Sequence, residues 1–501
     1  MARRVYANKA ILWAGGFRGL YQDGDGCSTD MRYAAEGENF GCEGGMLRPA
    51  REGEALPGKL DGTIGTLAAL HRRYHVAEGE DPTLLVAASG GGLYARAMNE
   101  EEWRLIWDGL TTDRLDFVSY EVNGYYRDGE GKRLAPSAGE TGEWVDAEAP
   151  IDILLLTNAL DGMIMVYGDT RETVPVRIQP RGAEEVRFGV LARHAERIWG
   201  SGILEDPDKL MYSAPFDPFN WEQNDDMPED GAGDILQPSW DGDSFMALRP
   251  MGSQLLAVKK NRIWRILGTD PSQYVMKEQY GGGTVCENSL VVYGSSALML
   301  GRDGLIRYDS VSAELYGNER IRKILRRINW DAAHRACAGM RGEIYCLALP
   351  LDGSERNNAL LEYHTREGTF TLAVGVEIQC FLEMEGRLLF ADGAGYVREA
   401  GRGQALPMRW EGPWQDLDRL DCVKRRFVLR LQADSPAKLG VGIRTERGLW
   451  KKNVQLEPEK TRRVMLEARG HRFRLELTSQ AGQDFGLLAG VQICCELDQE
   501  E

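Results

Sequence analysis

Apolar and polar positions in this chain alternate in short runs that stop at a Gly or Asp turn and start again. The stretch from Arg197 to Tyr308 shows the beat three times, in RIWGSG, in GDSFMALRPMGSQLLAVKKNRIWRILG and in CENSLVVYGSSALMLGRDGLIRYD. Similar segments start at Asp61, Arg114, Phe188, Asp243, Val285, Trp330 and Val376. Runs of this length with period-two patterning are strands, and tight turns between them make hairpins. Serial small β units at this spacing predict a β-propeller of about six to eight blades over residues 59–400. The 59 glycines in 501 residues, well above the usual ~7%, fit a turn-dense all-β chain.

Three departures from the beat set the expected organisation. Residues 1–58 are turn-rich with short apolar pieces and read as an extended arm. Residues 127–149 are rich in Gly, Glu and Asp and read as an exposed loop insertion. After GRGQALP at 401–407 the runs lengthen and alternate strictly, as in RRFVLRLQA and TRRVMLEA, predicting a C-terminal β-sandwich over 401–501. One stretch, Gly317 to Asn329, has apolar residues at helical spacing with Arg and Lys opposite.

The formal net charge of −17 argues against a broad nucleic-acid surface, though not against a small basic patch. Arg322, Lys323, Arg326 and Arg327 on the helical stretch are the candidates for a DNA- or subunit-facing patch, or form a solvated helix face. Trp199, Phe216, Phe219, Trp221, Trp240 and Trp264 gather around Pro215 and Pro218. They read either as blade-to-blade packing or as anchors between subunits.

No apolar run approaches the ~20 residues of a membrane span, and no signal-peptide pattern opens the chain. The nine cysteines include no CxxC pair, so a zinc framework is not expected; buried reduced thiols, suited to assembly in a cytoplasm, are. The six histidines are scattered. The acidic stretches 23–26 and 222–234 have the alternating carboxylates of calcium loops without completing one. No nucleophile elbow, phosphate loop, dinucleotide fingerprint or zinc-protease motif is present. No catalytic residue, metal or cofactor is therefore expected.

Four segments carry a family resemblance: Ile198 to Trp221 with its IWGSG, DPDKLMYS and FDPFNW series, GDSFMALRPMGSQLLAVKKNRIWRILGTDPSQY with its Gly-Thr-Asp-Pro corner at 268–271, DMRYAAEGENFGCEGGMLRPA at 30–50, and GHRFRLELTSQAGQDFGLLAGVQI at the C-terminus. They resemble the β-propeller virion proteins of phage tails, the tail nozzle or packaged-DNA stabilisation class. The resemblance is best over 11–50 and 188–495. It implies a non-enzymatic structural protein of the virion tail, assembled in the host cytoplasm. Its copies would form a homo-oligomeric ring below the portal, touching portal or adaptor and other tail proteins, with packaged DNA in the lumen. Two other readings stay open: a receptor- or carbohydrate-binding tail module, and a propeller glycoside hydrolase.

Overall fold

The computed structural model describes residues 4–6, 9–23, 30–134, 142–181, 185–239, 242–279 and 281–499. Among them are seven four-stranded antiparallel sheets, the arrangement of a β-propeller. Their inner strands are Ile64–His71, Asp116–Arg127, Val190–His194, Ala247–Met251, Val291–Tyr293, Cys337–Arg341 and Cys380–Met384. Each lies against the next, and the last returns to the first. The seventh blade takes its outer strand, Glu54–Lys59, from the start of the chain; it pairs antiparallel with Tyr396–Glu399. This pairing joins the two ends of the ring and replaces a free edge with a hydrogen-bonded one.

Middle strands buried on both faces explain the near-continuous apolar runs. In the run Ile151–Leu156, Ile151, Ile153 and Leu155 pack toward blade three. Leu154 and Leu156 face blade one instead. The period of two thus sends alternate side chains into two different inter-blade cores. Each buried Leu or Ile stabilises by roughly 1.5–3 kcal/mol.

The C-terminal strands form two five-stranded sheets, and the N-terminal segment belongs to both. Lys9–Ala14 pairs with Leu487–Gln499 in one. Glu36–Glu38 pairs with Arg409–Glu411 in the other. The sheets share a core, with the Phe427 and Phe473 rings 4.8 Å apart. The segment read as an extended arm is therefore strand and packed loop wherever it is described. Its length and turns hid this, because the partner strands lie at the other end of the chain. It also seats against blade six: the Leu20 amide donates to the Phe370 carbonyl at 2.7 Å. Glycine at position 19 permits the approach, since a Cβ there would sit 2.2 Å from that oxygen. One apolar core runs through the N-terminal segment, blades five and six and both C-terminal sheets.

Two expectations change. The stretch 127–149 is not a plain loop: Glu143–Asn158 is one long strand paired with Asp116–Arg127, and the two project past the blade as a ribbon. The half of the ribbon beyond the blade has one wet face, so its composition is polar although its backbone is paired. Residues 135–141 of the expected insertion lie outside the described residues. The helix is also shorter than its pattern, Arg322–Arg327. No helix among the described residues is long and apolar enough to cross a membrane.

Candidate functional site

The four basic candidates sit on that short helix, whose Ile321, Ile324 and Ile328 are buried. Three meet carboxylates of the same chain. Arg322 pairs with Asp23 at 3.1 Å, Lys323 with Glu36 at 2.9 Å, and Arg327 with Asp352 at 2.8 Å. Gln22 Oε1 accepts from the Lys323 and Ile324 amides at 3.1 and 3.3 Å. The N-terminal segment thus covers the basic face and caps the helix. Arg326 is exposed and makes no ion pair among the described residues.

The aromatic candidates separate by burial. Trp199 is fully buried, with Tyr212 and Tyr274 rings 5.0 and 5.1 Å away. Trp264 meets Phe245 at 5.6 Å in the same core between blades three and four. Trp221 is 4.9 Å from Phe188, and its indole N–H donates to the Pro218 carbonyl at 2.9 Å. These three lie in cores within the chain and present no face to a neighbouring subunit. Phe219 is half-buried, and Phe216 is 70% exposed. Trp240 lies outside the described residues.

Two concave regions stand out. The first is the centre of the propeller, a space of about 470 Å³ touched by all seven inner strands, with Phe117, Arg193, Arg249 and Phe381 among its walls. Asp116 staples three blades here. Its carboxylate accepts from the Leu191 amide at 2.9 Å and pairs with Arg249 at 3.3 Å. Glu383 on the seventh inner strand is pushed above the usual carboxylate range by burial, although it accepts from the Met340 amide. A space of this volume suits a small molecule or ordered water and cannot pass a nucleic-acid duplex.

The second is a groove of about 550 Å³ between the projecting ribbon of blade two and the 213–222 loop of blade three. Both walls are held from behind. Arg197, buried, donates to the carbonyls of Ser213 and Gly231 at 2.7 and 2.6 Å, and to that of Glu229. Arg133, also buried, lies between the Tyr125 and Tyr167 rings at 4.0 and 4.3 Å, and its fork grips Asp169 at 2.7 and 2.6 Å. Tyr120 Oη donates to the Glu196 carbonyl at 2.9 Å and ties the walls together. Sequence reasoning found the Phe216–Trp221 half of this groove. It missed Trp144 and Tyr126, because they fall at the ends of a polar stretch.

The histidines lie apart. His75 Nε2 lies 3.3 Å from the Ala149 carbonyl. His194 is buried beside Trp199, and its neutral form is favoured because burial lowers its proton affinity. The acidic stretch 222–234 is held by Arg197 and by Asn224, whose Oδ1 accepts from the Asp226 and Met227 amides at 3.1 Å. Residues 24–26 of the other acidic stretch lie outside the described residues. Among the described residues, no group of three or more His, Cys, Asp or Glu side chains is placed to hold a metal ion.

No family model matches the chain, and no curated protein matches it. Solved structures similar in fold include the computationally designed protein Ika8 (10% identity, 70% of this chain and 100% of that one, TM-score 0.39). BamB from Moraxella catarrhalis is similar at 8% identity over 78% and 97% of the two chains, with a TM-score of 0.37. A chain of the mitotic checkpoint complex is similar at 9% identity over 70% and 93%, also with a TM-score of 0.37. Likeness at this level carries no functional argument.

Proposed function

We propose that this protein is a structural assembly subunit, a seven-bladed propeller continuous with a β-sandwich, whose copies form a ring in a phage tail below the portal. One observation carries the reading furthest. The N-terminal segment, blades five and six and both C-terminal sheets share one core, so the propeller is fixed to the C-terminal sheets through two of its blades and can bear load with them. The four sequence segments that resemble phage tail propeller proteins supply the biological setting.

In this account DNA passes through a lumen between copies, because the centre of one propeller is too small for a duplex. The net charge of −17 keeps most of the wall from gripping phosphates. Arg326 is the one residue of the basic helix left to meet a phosphate without first leaving a carboxylate. The test is co-sedimentation of the purified chain with rings of its portal or adaptor protein. Co-migration at fixed stoichiometry supports the reading. Separate migration at all concentrations, with both proteins folded, counts against it.

A further inference from the structure

We infer that the groove between the blade-two ribbon and the 213–222 loop is a binding site for a neutral oligosaccharide. The inference stands on the groove's walls, independently of any ring.

Exposed aromatic rings form its platforms. Trp144 is 43% exposed and Phe216 70% exposed, and both border the same cavity. Large apolar rings left wet inside a concavity, rather than scattered singly, indicate a ligand. The Trp144 ring is fixed on three sides. Its indole N–H donates to Asp146 at 2.7 Å, and the Tyr126 ring stands edge-on at 5.0 Å. Below it is Gly124, where a Cβ would come within 2.5 Å of the indole. A Cβ there would also come 2.4 Å from the Val145 carbonyl oxygen, so glycine at that position admits both the partner strand and the indole.

Phe216 adds an independent sign. Its φ is +58°, a region that bulky side chains rarely occupy. Its amide donates to the Glu196 carbonyl at 2.9 Å, which holds the turn. A strained backbone that presents an apolar ring to water costs stability, and such strain collects at functional sites.

The remaining lining selects the ligand class. Asn123 and Gln179 are exposed and make no side-chain hydrogen bond among the described residues. Planar amides of this kind donate and accept in one plane, which suits vicinal hydroxyls. Glu121 is paired with Arg73, and Asp217 and Glu222 still outnumber Arg177, so the groove is net acidic and disfavours phosphate and with it nucleic acid. A sugar ring offers what the walls need. Its weakly positive C–H face stacks on the negative face of an aromatic ring, and its hydroxyl edge meets amides and carboxylates.

The experiment is a printed panel of neutral and acidic bacterial-surface oligosaccharides, probed with the full chain and with three variants. Trp144→Ala removes a platform. Phe216→Gly removes the other while relieving the strain. Gly124→Ala crowds both the indole and the Val145 carbonyl, and so disturbs the platform with the ring still present. The expected result is retention of a subset of neutral glycans by the parent, weakened tenfold or more in every variant, with thermal stability kept in Phe216→Gly. No binding across the panel, binding only to acidic glycans, or binding that survives Trp144→Ala and Phe216→Gly would overturn the inference.

Discussion

Asn39 and Val374 are joined through a side chain: Asn39 Oδ1 accepts from the Val374 amide at 2.7 Å. The same Asn39 donates from Nδ2 to the Pro407 carbonyl at 3.0 Å, and its own amide donates to Leu372. It is buried and has a φ of +60°, a conformation that Asn tolerates better than most residues. One side chain thus joins the N-terminal segment, blade six and the strand that opens the C-terminal sheets.

Replacing Asn39 with Ala leaves the Val374 amide and the Pro407 carbonyl without these partners and adds backbone strain. The expected loss is about 3 kcal/mol, from unsatisfied buried groups and the left-handed conformation together. Asn39→Gly keeps the conformation and loses only the hydrogen bonds, so its loss should be smaller. Denaturant unfolding of the three proteins checks the order.

An ion pair with one fully buried partner gives a second test. Lys259 is fully buried, 2.5 Å from Asp208, and its ammonium faces the Phe245 and Trp264 rings at 4.6 and 5.4 Å. Removing Asp208 leaves the fully buried Lys259 charge unpaired and should cost about 3–5 kcal/mol, whereas removing Lys259 leaves a carboxylate that still reaches water and should cost less. The double variant Lys259→Met with Asp208→Ala should recover part of that loss, because no charge is then left unpaired. Additive losses in the double-mutant cycle would show that the pair is not coupled.

How much of this was legible in the sequence depends on where the partners lie. The restarts at Asp61, Arg114, Phe188, Asp243, Val285, Trp330 and Val376 each stand just before an inner strand, because blade strands pair with near neighbours and local pattern suffices. Glu54–Lys59 closing the last blade, and Lys9–Ala14 entering a C-terminal sheet, were not legible. Their partners are hundreds of residues away, and nothing local names them. Site residues divide in the same way. Phe216 and Trp221 stand in an aromatic cluster that sequence shows. Trp144 does not, because its platform depends on Gly124 across the ribbon. The basic helix looked free because Asp23, Glu36 and Glu38 oppose it only after folding.

The Arg133 clamp predicts local rather than global behaviour. Arg133→Lys keeps the charge but loses the planar fork and the stacking between two tyrosines. Amide hydrogen exchange over 122–134 should rise well above that of the parent, while the melting temperature of the whole chain changes little. Unchanged exchange in that ribbon would remove the clamp from the account.

His194 sets a pH dependence with a definite sign. Burial lowers its pKa below the ordinary 6.5, and its Nε2 is buried without a hydrogen-bond partner. The folded state therefore binds fewer protons than the unfolded state below that value, and stability falls as pH drops through 6.5. His194→Phe removes this contribution. The stability gap between parent and variant should shift in favour of the variant between pH 7.5 and 5.5, as read by chemical denaturation at each pH. A gap independent of pH would contradict the assignment.

The thiols should behave as core groups. Burial pushes Cys286 and Cys380 up to about 12, so neither forms thiolate near neutrality. Among the eight described cysteines only Cys494 is part-exposed. Under native conditions alkylation followed by peptide mass mapping should label it first, and the buried seven only on unfolding.

The proposed closed ring has a definite mass. Native mass spectrometry of the purified protein, alone and with the proposed portal or adaptor partner, measures it. A closed ring gives one discrete species at an integer multiple of the 55.9 kDa chain, formed alone or on that partner. A folded protein that stays monomeric in both experiments at every concentration would contradict it.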